Sequence, residues 1–309
     1  MALVIPREKV YKNLGMTKQG VAEDVRAIKT WLLKQPHLPH IKAEWLSVKV
    51  DDWLENFLIQ CKNSIERTKE ALDLYFCRGI LVPEVFTRRD PLSQPFQTSF
   101  RVIHMGLTPQ VTDEGNRVLI FSHTRPTADD FDPTIMMKRM GMLMDLVLLE
   151  GIVQNGIEIV VDFRHVCFGQ LTRYNLALTK RVYDIAMKAV PQRVKRFHFI
   201  YPTAILDAGF PILRQILSKK LQDRMVVHRD VNDLIKLVGP QAIPADIGGE
   251  APTISELNHM WEEKMIEYRD WFMSSESVKS DESKRVGKCR YETTDTFGHQ
   301  GSFRKIEVD

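Results

Sequence analysis

From Thr17 onward, apolar residues recur with a helical period. Val21, Val25, Ile28 and Leu32 return at helical spacing, Thr17 stands where an N-cap belongs, and the run PHLPH ends the pattern. A second segment puts Trp53, Leu54, Phe57 and Leu58 on one face, and a third opens at Ser64 and closes at Gly79. Together they predict a small all-helical bundle. The proline-bearing stretch LVPEVFTRRDPLSQP then reads as a linker between domains.

Past the linker, strand-like and helix-like segments alternate. NRVLIFSHT, GIEIVVDF, RFHFIYP and RMVVH, rich in β-branched and aromatic residues, predict strands. Between them lie DPTIMMKRMGMLMDLVLLEGIVQNG, a helix begun by Asp132 with Pro133 at its first position, then LTRYNLALTKRVYDIAMKAVP, and a third helix over residues 210–224. This β-α-β-α-β order predicts an α/β fold with a mostly parallel sheet and flanking helices. The expected organisation is a helical domain over residues 1–92, an α/β domain over 93–273 and a polar tail over 274–309, whose FGHQGSF segment could dock on the surface.

The third helix is apolar at one end and cationic at the other. Phe210, Leu213, Leu217 and Leu221 form its stripe, with Ile212 and Ile216 beside it, while Lys219, Lys220 and Arg224 gather in its last turns. Arg193, Lys195 and Arg196 stand just before RFHFIYP, with Arg193 and Lys195 on the same side of an extended chain. A helix that follows a strand in a β-α-β unit runs back toward that strand's start, so Lys219, Lys220 and Arg224 should approach Arg193 and Lys195. Cations scattered in the sequence would then meet at one pole.

Composition makes that local charge matter. A net charge of +3 over 309 residues gives no global cationic field of the kind that binds nucleic acid. The opening MALVI runs into proline and charges, so a signal peptide is not expected. The richest apolar run, LVLLEGIVQNGIEIVVDF, is broken by Glu150, Gln154, Asn155 and Glu158 and does not read as a bilayer span. Four scattered cysteines without a C-x-x-C pair fit neither a zinc site nor a disulfide framework and suit a reducing cytosol.

Catalytic devices are missing from the sequence: there is no G-x-S-x-G elbow, no G-x-G-x-x-G after a strand, no Walker loop and no H-E-x-x-H. Asp162, at a strand end with His165 nearby, reads first as a turn former, and His104, His123, His198 and His228 as satisfied structural histidines. Deformable apolar surface is over-represented instead. Met136, Met137, Met140, Met142 and Met144 crowd one helix, a stripe that core packing and an irregular ligand cavity would both explain.

The run RFHFIYPTAILDAGFPILRQILSKKLQDRMVVH, followed by DLIKLVGPQAIPADIGGE, resembles the lipid-binding domain of the CRAL-TRIO (Sec14-like) family. The family's L-P-x-x-x-G-G turn is matched by Ile243, Pro244, Gly248 and Gly249, with Ile in place of Leu. WLLKQPHLP and DDWLENFLIQCKNSIERTKEALDLYF resemble its N-terminal helical domain, so the resemblance spans about residues 21–272. It implies one hydrophobic molecule held inside the α/β domain beneath a mobile helix, here about residues 204–217, that opens at membranes. It also implies a basic cluster for phosphoinositide headgroups at Arg193, Lys195, Lys220 and Arg224. One position departs, because the family's Phe-Leu-Arg reads Phe57-Leu58-Ile59 and that cation is absent.

The protein so expected is a carrier without enzymatic activity, taking a retinoid, a tocopherol or a similar lipid as its ligand and needing no other cofactor. It would be a cytoplasmic monomer, peripheral on anionic membranes and without a nucleic-acid partner. Its cavity wall is expected from Ile159, Val161, Phe197, Phe199 and Tyr201 on strands, Met140, Leu143 and Met144 on the long helix, and Tyr174 and Leu178 on the next. Phe210, Ile212, Leu213 and Ile216 would come from the gate. Two other readings compete. A phosphoinositide-binding signalling or adaptor module has only the polar tail in its favour, and an α/β enzyme would depend on Asp162 or a nearby histidine.

Overall fold

A computed structural model describes residues 7–46 and 48–287. The first layer is helical and consists of α1 (Arg7–Leu14), α2 (Lys18–Leu33), the short α3 (Ala43–Leu46), α4 (Val50–Gln60) and α5 (Ile65–Leu81). Thr17 Oγ1 accepts from Gly20 N at 3.1 Å to start α2, and Ser64 Oγ accepts from Arg67 N at 3.4 Å to start α5. Trp53, Leu54, Phe57 and Leu58 are buried, and Trp53 meets Phe57 and Tyr75 edge to face.

The stretch read as a linker is packed rather than loose. It forms α6 (Pro83–Phe86), with Val82, Val85 and Phe86 buried, and sends Arg89 into the interior. There Arg89 at 2.6 Å and Arg78 at 2.8 Å share the carboxylate of Asp145, to which the Tyr75 hydroxyl also donates at 3.0 Å. Asp145 belongs to α8 (Pro133–Leu149), so one buried ion cluster fastens the helical layer to the rest. Burial opposes the charge on Asp145, but the two guanidinium groups outweigh it and hold its pKa below the ordinary value.

After α7 (Gln94–Val102) the chain enters a five-stranded sheet of β1 (Ile103–Leu107), β2 (Asn116–His123), β3 (Gly156–Asp162), β4 (Val194–Ile200) and β5 (Met225–His228), in that spatial order. β1 runs antiparallel to β2, and every other pairing is parallel. α8 starts where Asp132 accepts from Thr134 N at 2.7 Å and Pro133 supplies the first helical residue. The segment read as a single helix after β3 is two, α9 (Phe168–Thr172) and α10 (Leu176–Ala189), because Asn175 caps the second by accepting from Leu178 N at 3.0 Å.

The helix read over residues 210–224 is likewise divided. α11 (Ala204–Ile216) begins earlier, the backbone extends at Leu217 with ψ 143°, and a short α12 (Lys219–Gln222) follows. Gln222 Nε2 donates to the carbonyls of Arg214 and Leu217 at 2.9 Å each, so the carbonyls freed by the break are satisfied. The chain closes with α13 (Val231–Val238), α14 (Ile254–Glu267) and α15 (Arg269–Ser275).

α13 and α14 cover one face of the sheet completely, where Val118, Ile120, Val160 and Ile200 pack against Leu234, Ile243 and Leu257. The turn between these helices explains its glycines. Gly248 has φ +95°, and a Cβ on Gly249 would lie 1.9 Å from the carbonyl oxygen of Ile243. Of the stretch expected to be a tail, residues 275–287 dock instead: Ser280 N donates to Phe76 O at 3.1 Å, Asp281 N to His37 O at 2.7 Å, and Arg285 grips both oxygens of Asp73 at 2.7 and 2.9 Å. The FGHQGSF segment, Cys289 and the opening MALVIP lie outside the described residues.

Candidate functional site

Strand alternation and register put Ile159, Val161, Phe197 and Phe199 on one face, with Ile159 opposite Phe197 and Val161 opposite Phe199. This is the face toward α8, α10 and α11, and beside α8 and α10 it is not filled. Ile159, Val161 and Phe197 remain half-buried in the middle of the sheet, whereas Val160 and His198, pointing the other way, are fully buried. Between this face and the helices lies a cavity of about 140 Å³. Its wall is Leu119, Ile157 and Ile159 of the sheet, Met137, Met140 and Met144 of α8, Val182 and Met187 of α10, with Arg78 and Phe86 from the helical layer and Gln192 before β4.

Of the residues expected at the wall, Met140, Met144 and Ile159 line this cavity. Leu143, on the same helix, faces the core shared with the helical layer and is fully buried. Val161, Phe197, Phe199, Phe210 and Leu213 form a second apolar group beneath α11, where Phe210 meets Phe199 edge to face at 5.3 Å. Tyr174 packs against Phe131 and Met136, and Leu178 against the cluster of Val85, Phe86 and Val182, at the margins. Ile212 is half-buried on α11, and Ile216 is buried near its end. Tyr201 leaves this face. Its φ of +50° turns it from the strand toward the packed side, where Arg164 stacks on its ring at 4.7 Å.

Val182, Met187 and Phe86 complete the wall without having been picked out from the sequence. Val182 and Met187 lie on α10, about 140° apart around its axis, while Phe86 belonged to the supposed linker. The cavity borders the packed region under α11, because Ile159 and Met187 of its wall pack in the same cluster as Leu213 and Phe197.

α11 is weakly built for its position. It contains Gly209 and Pro211, residues that cost about 1 and 3 kcal/mol relative to Ala inside a helix. Only Leu206, Gly209 and Ile216 of it are buried. α12, in contrast, is pinned: Leu217 and Leu221 pack on Val194 at the start of β4. The extended backbone at Leu217 and Ser218 separates the two helices.

The cations gather at that fixed end. The Arg224 guanidinium donates to the Val194 carbonyl, Arg193 Nη2 donates to Ile59 O at 2.7 Å, and the Lys195 stem lies over Gly156, which has no room for a Cβ. Lys62 joins them. Burial, then Arg193, Arg67, Lys220 and Lys195 in turn, push its pKa down, which places all five cations in one electrostatic neighbourhood. Lys62 and Arg67 follow α4 and open α5, close to the position where Ile59 replaces a family arginine, and their spacing alone gave no sign of this role.

The titratable groups considered for catalysis are engaged elsewhere. Asp162 is buried and bound by Arg164 at 2.6 Å and by the Ser122 hydroxyl at 3.0 Å. His198 bridges Glu158 at 3.2 Å and His228 at 2.9 Å on the packed side of the sheet. Among the described residues no helix is long and apolar enough to cross a membrane.

Comparison with known proteins agrees with this architecture. Residues 104–249 match the CRAL/TRIO domain and residues 17–96 the Pinta-like UBA domain. The chain is 25% identical over 249 residues to the alpha-tocopherol transfer protein-like protein of Mus musculus, covering 79% of this chain and 69% of that one. It is 19% identical over 258 residues to clavesin-2 of Rattus norvegicus, covering 79% and 74%. The crystal structure of Sfh5 aligns with a TM-score of 0.46 and 12% identity over 81% of this chain and 97% of that one. With its mostly parallel sheet, its flanking helices and its helical N-terminal layer, this chain carries a CRAL/TRIO domain over residues 104–249.

Proposed function

We propose that this protein is a cytoplasmic carrier, without enzymatic activity, that encloses one small hydrophobic lipid and exchanges it with anionic membranes. The observation that carries the reading is the apolar cavity between the sheet and α8 and α10, beside α11, a helix with only Leu206, Gly209 and Ile216 buried. The cavity of about 140 Å³ is smaller than a lipid requires, since ligand pockets commonly hold ~300 Å³ or more. Met137, Met140, Met144 and Met187 are the side chains best able to yield, and displacement of α11 would uncover Val161, Phe197 and Phe199 beside the cavity. Enclosing about 400 Å² of apolar surface is worth on the order of 10 kcal/mol before binding costs, so cargo would leave into a membrane and not into water.

The cationic pole of Arg193, Lys195, Lys220 and Arg224, joined by Lys62 and Arg67, would hold the protein against phosphoinositide headgroups while α11 moves. Phe168 of α9 is 62% exposed, and Leu171 one turn later touches α11 at Gly209, so an apolar side chain stands beside the gate ready to enter a bilayer. A tocopherol is a fitting first cargo, because the relative's name carries tocopherol transfer. Mass spectrometry of an organic extract of the purified protein tests the reading, together with vesicle-to-vesicle transfer. Replacing Arg193, Lys195, Lys220 and Arg224 by Ala should slow transfer and leave cargo capture intact; unchanged transfer refutes the headgroup role, and an apolar extract without lipid refutes the carrier.

A further inference from the structure

A second cavity, of about 120 Å³, adjoins the first. Arg78 and Phe86 line both and so stand between them. The second cavity is bounded in part by Trp45 and Tyr75 of the helical layer, and in part by Ser275, Glu276, Val278 and Lys279, where the chain leaves α15. Residues 276–287 therefore lie as a strap over a space that two side chains divide from the cargo cavity.

The strap is held by polar contacts. Ser280 is its one buried residue; Val278 is half-buried and Val286 is 86% exposed. Glu276 accepts from Arg89 N at 3.2 Å, the amides of Ser280 and Asp281 donate to the helical layer, and Arg285 holds both oxygens of Asp73 and approaches Cys77 Sγ at 3.0 Å. A segment with so little buried apolar surface opens locally at a small part of the cost of global unfolding. Lifting it strands no buried charge, because Arg89 keeps its bond to Asp145 and the Arg285–Asp73 pair passes into water. Arg78 and Phe86 would then be the barrier between solvent and cargo. Arg78 is fixed by Asp145 at 2.8 Å, whereas the Phe86 ring faces Gly141, which has no side chain to hold it.

We propose that residues 276–287 are a latch that seals the cargo cavity on the side of the helical layer, with the grip of Arg285 on Asp73 as its clasp. With the latch open, cargo escapes past Phe86 without a membrane. The inference rests on the carrier reading above and adds a second route of loss to the one under α11.

Cys77 lies beneath the clasp, 1% exposed, with its thiol pKa pushed up by burial, so thiol labelling reports when the strap lifts. The test uses the full chain loaded with 1,6-diphenylhexatriene, a rod-shaped fluorescent hydrocarbon, in buffer without vesicles. Maleimide labelling of Cys77, located by peptide mass spectrometry, and loss of bound probe on dilution are followed together. Arg285→Ala should speed labelling of Cys77 about tenfold and probe loss about threefold or more, and raising salt should move the unaltered protein the same way. Exchanging the pair, Asp73→Arg with Arg285→Asp, should return both rates toward those of the unaltered protein. Unchanged labelling of Cys77 overturns the clasp, and faster labelling with unchanged probe loss overturns the seal. Parallel labelling of the fully buried Cys61 means that the whole helical layer opens, and overturns the latch. If the unaltered protein takes up no probe, the carrier reading falls and the seal with it, even where Cys77 follows the strap as expected.

Discussion

Arg193 Nη2 donates to the backbone carbonyl of Ile59 at 2.7 Å, tying the chain just before β4 to the last turn of α4. The cationic pole is thus built by two layers, and the helical layer supplies Lys62 and Arg67 to it. Each cation near an anionic surface contributes about 1 kcal/mol. Lys62→Ala and Arg67→Ala should each reduce partitioning onto phosphoinositide-containing vesicles by about fivefold, with the deficit shrinking as salt rises. Co-sedimentation at two ionic strengths measures this, and wild-type partitioning in both variants would remove these residues from the surface.

Pro211 lies inside α11 and withholds an N–H from the helix ladder. Pro211→Ala restores that donor and should stabilise the closed position of α11. Transfer between vesicles should slow about tenfold or more while captured cargo is retained as well as before. A faster rate would show that helix integrity does not limit opening.

Asp145 is surrounded by Arg78, Arg89 and Tyr75 with no solvent contact. Asp145→Asn leaves two guanidinium groups buried without their counter-charge and should destabilise the protein by about 3–5 kcal/mol in urea unfolding at pH 7. Its native pKa lies below the unfolded value, so the cluster's contribution is complete above about pH 4 and is lost as pH falls through the native pKa. The gap between the two proteins should therefore narrow in acid.

His123 is held neutral, with its pKa pushed down to about 4 by burial and then by His165, against the pull of Asp162. The unfolded chain binds that proton near pH 6.5 and the native one does not, so stability should fall as pH drops from about 6.5 to 4. Thermal melting across that window in wild type and His123→Gln should show a shallower slope for the variant. Parallel slopes would assign the acid sensitivity to other groups.

Much of this arrangement was legible in the sequence because its signals are local. Thr17, Ser64 and Asp132 cap helices as side-chain chemistry dictates, and a two-residue period put Ile159, Val161, Phe197 and Phe199 on one face. Which face met the cavity was not legible, since alternation is symmetric until helices choose a side. The stripe Leu213, Leu217 and Leu221 stays on the sheet across the break at Leu217, which is why periodicity saw one helix where there are two. The docking of residues 276–287 and the packing of the supposed linker escaped for another reason. Both depend on long-range partners, such as Asp73 for Arg285 and Asp145 for Arg89, which polar composition conceals.

Arg78 and Phe86 come from outside the CRAL/TRIO segment, yet they form part of the chamber wall. The α/β unit alone would have a window where those side chains stand, open to water. The amino-terminal helices are accordingly the rear panel of the container, and substitutions on α5 should tune what the chamber retains as directly as substitutions on the strands.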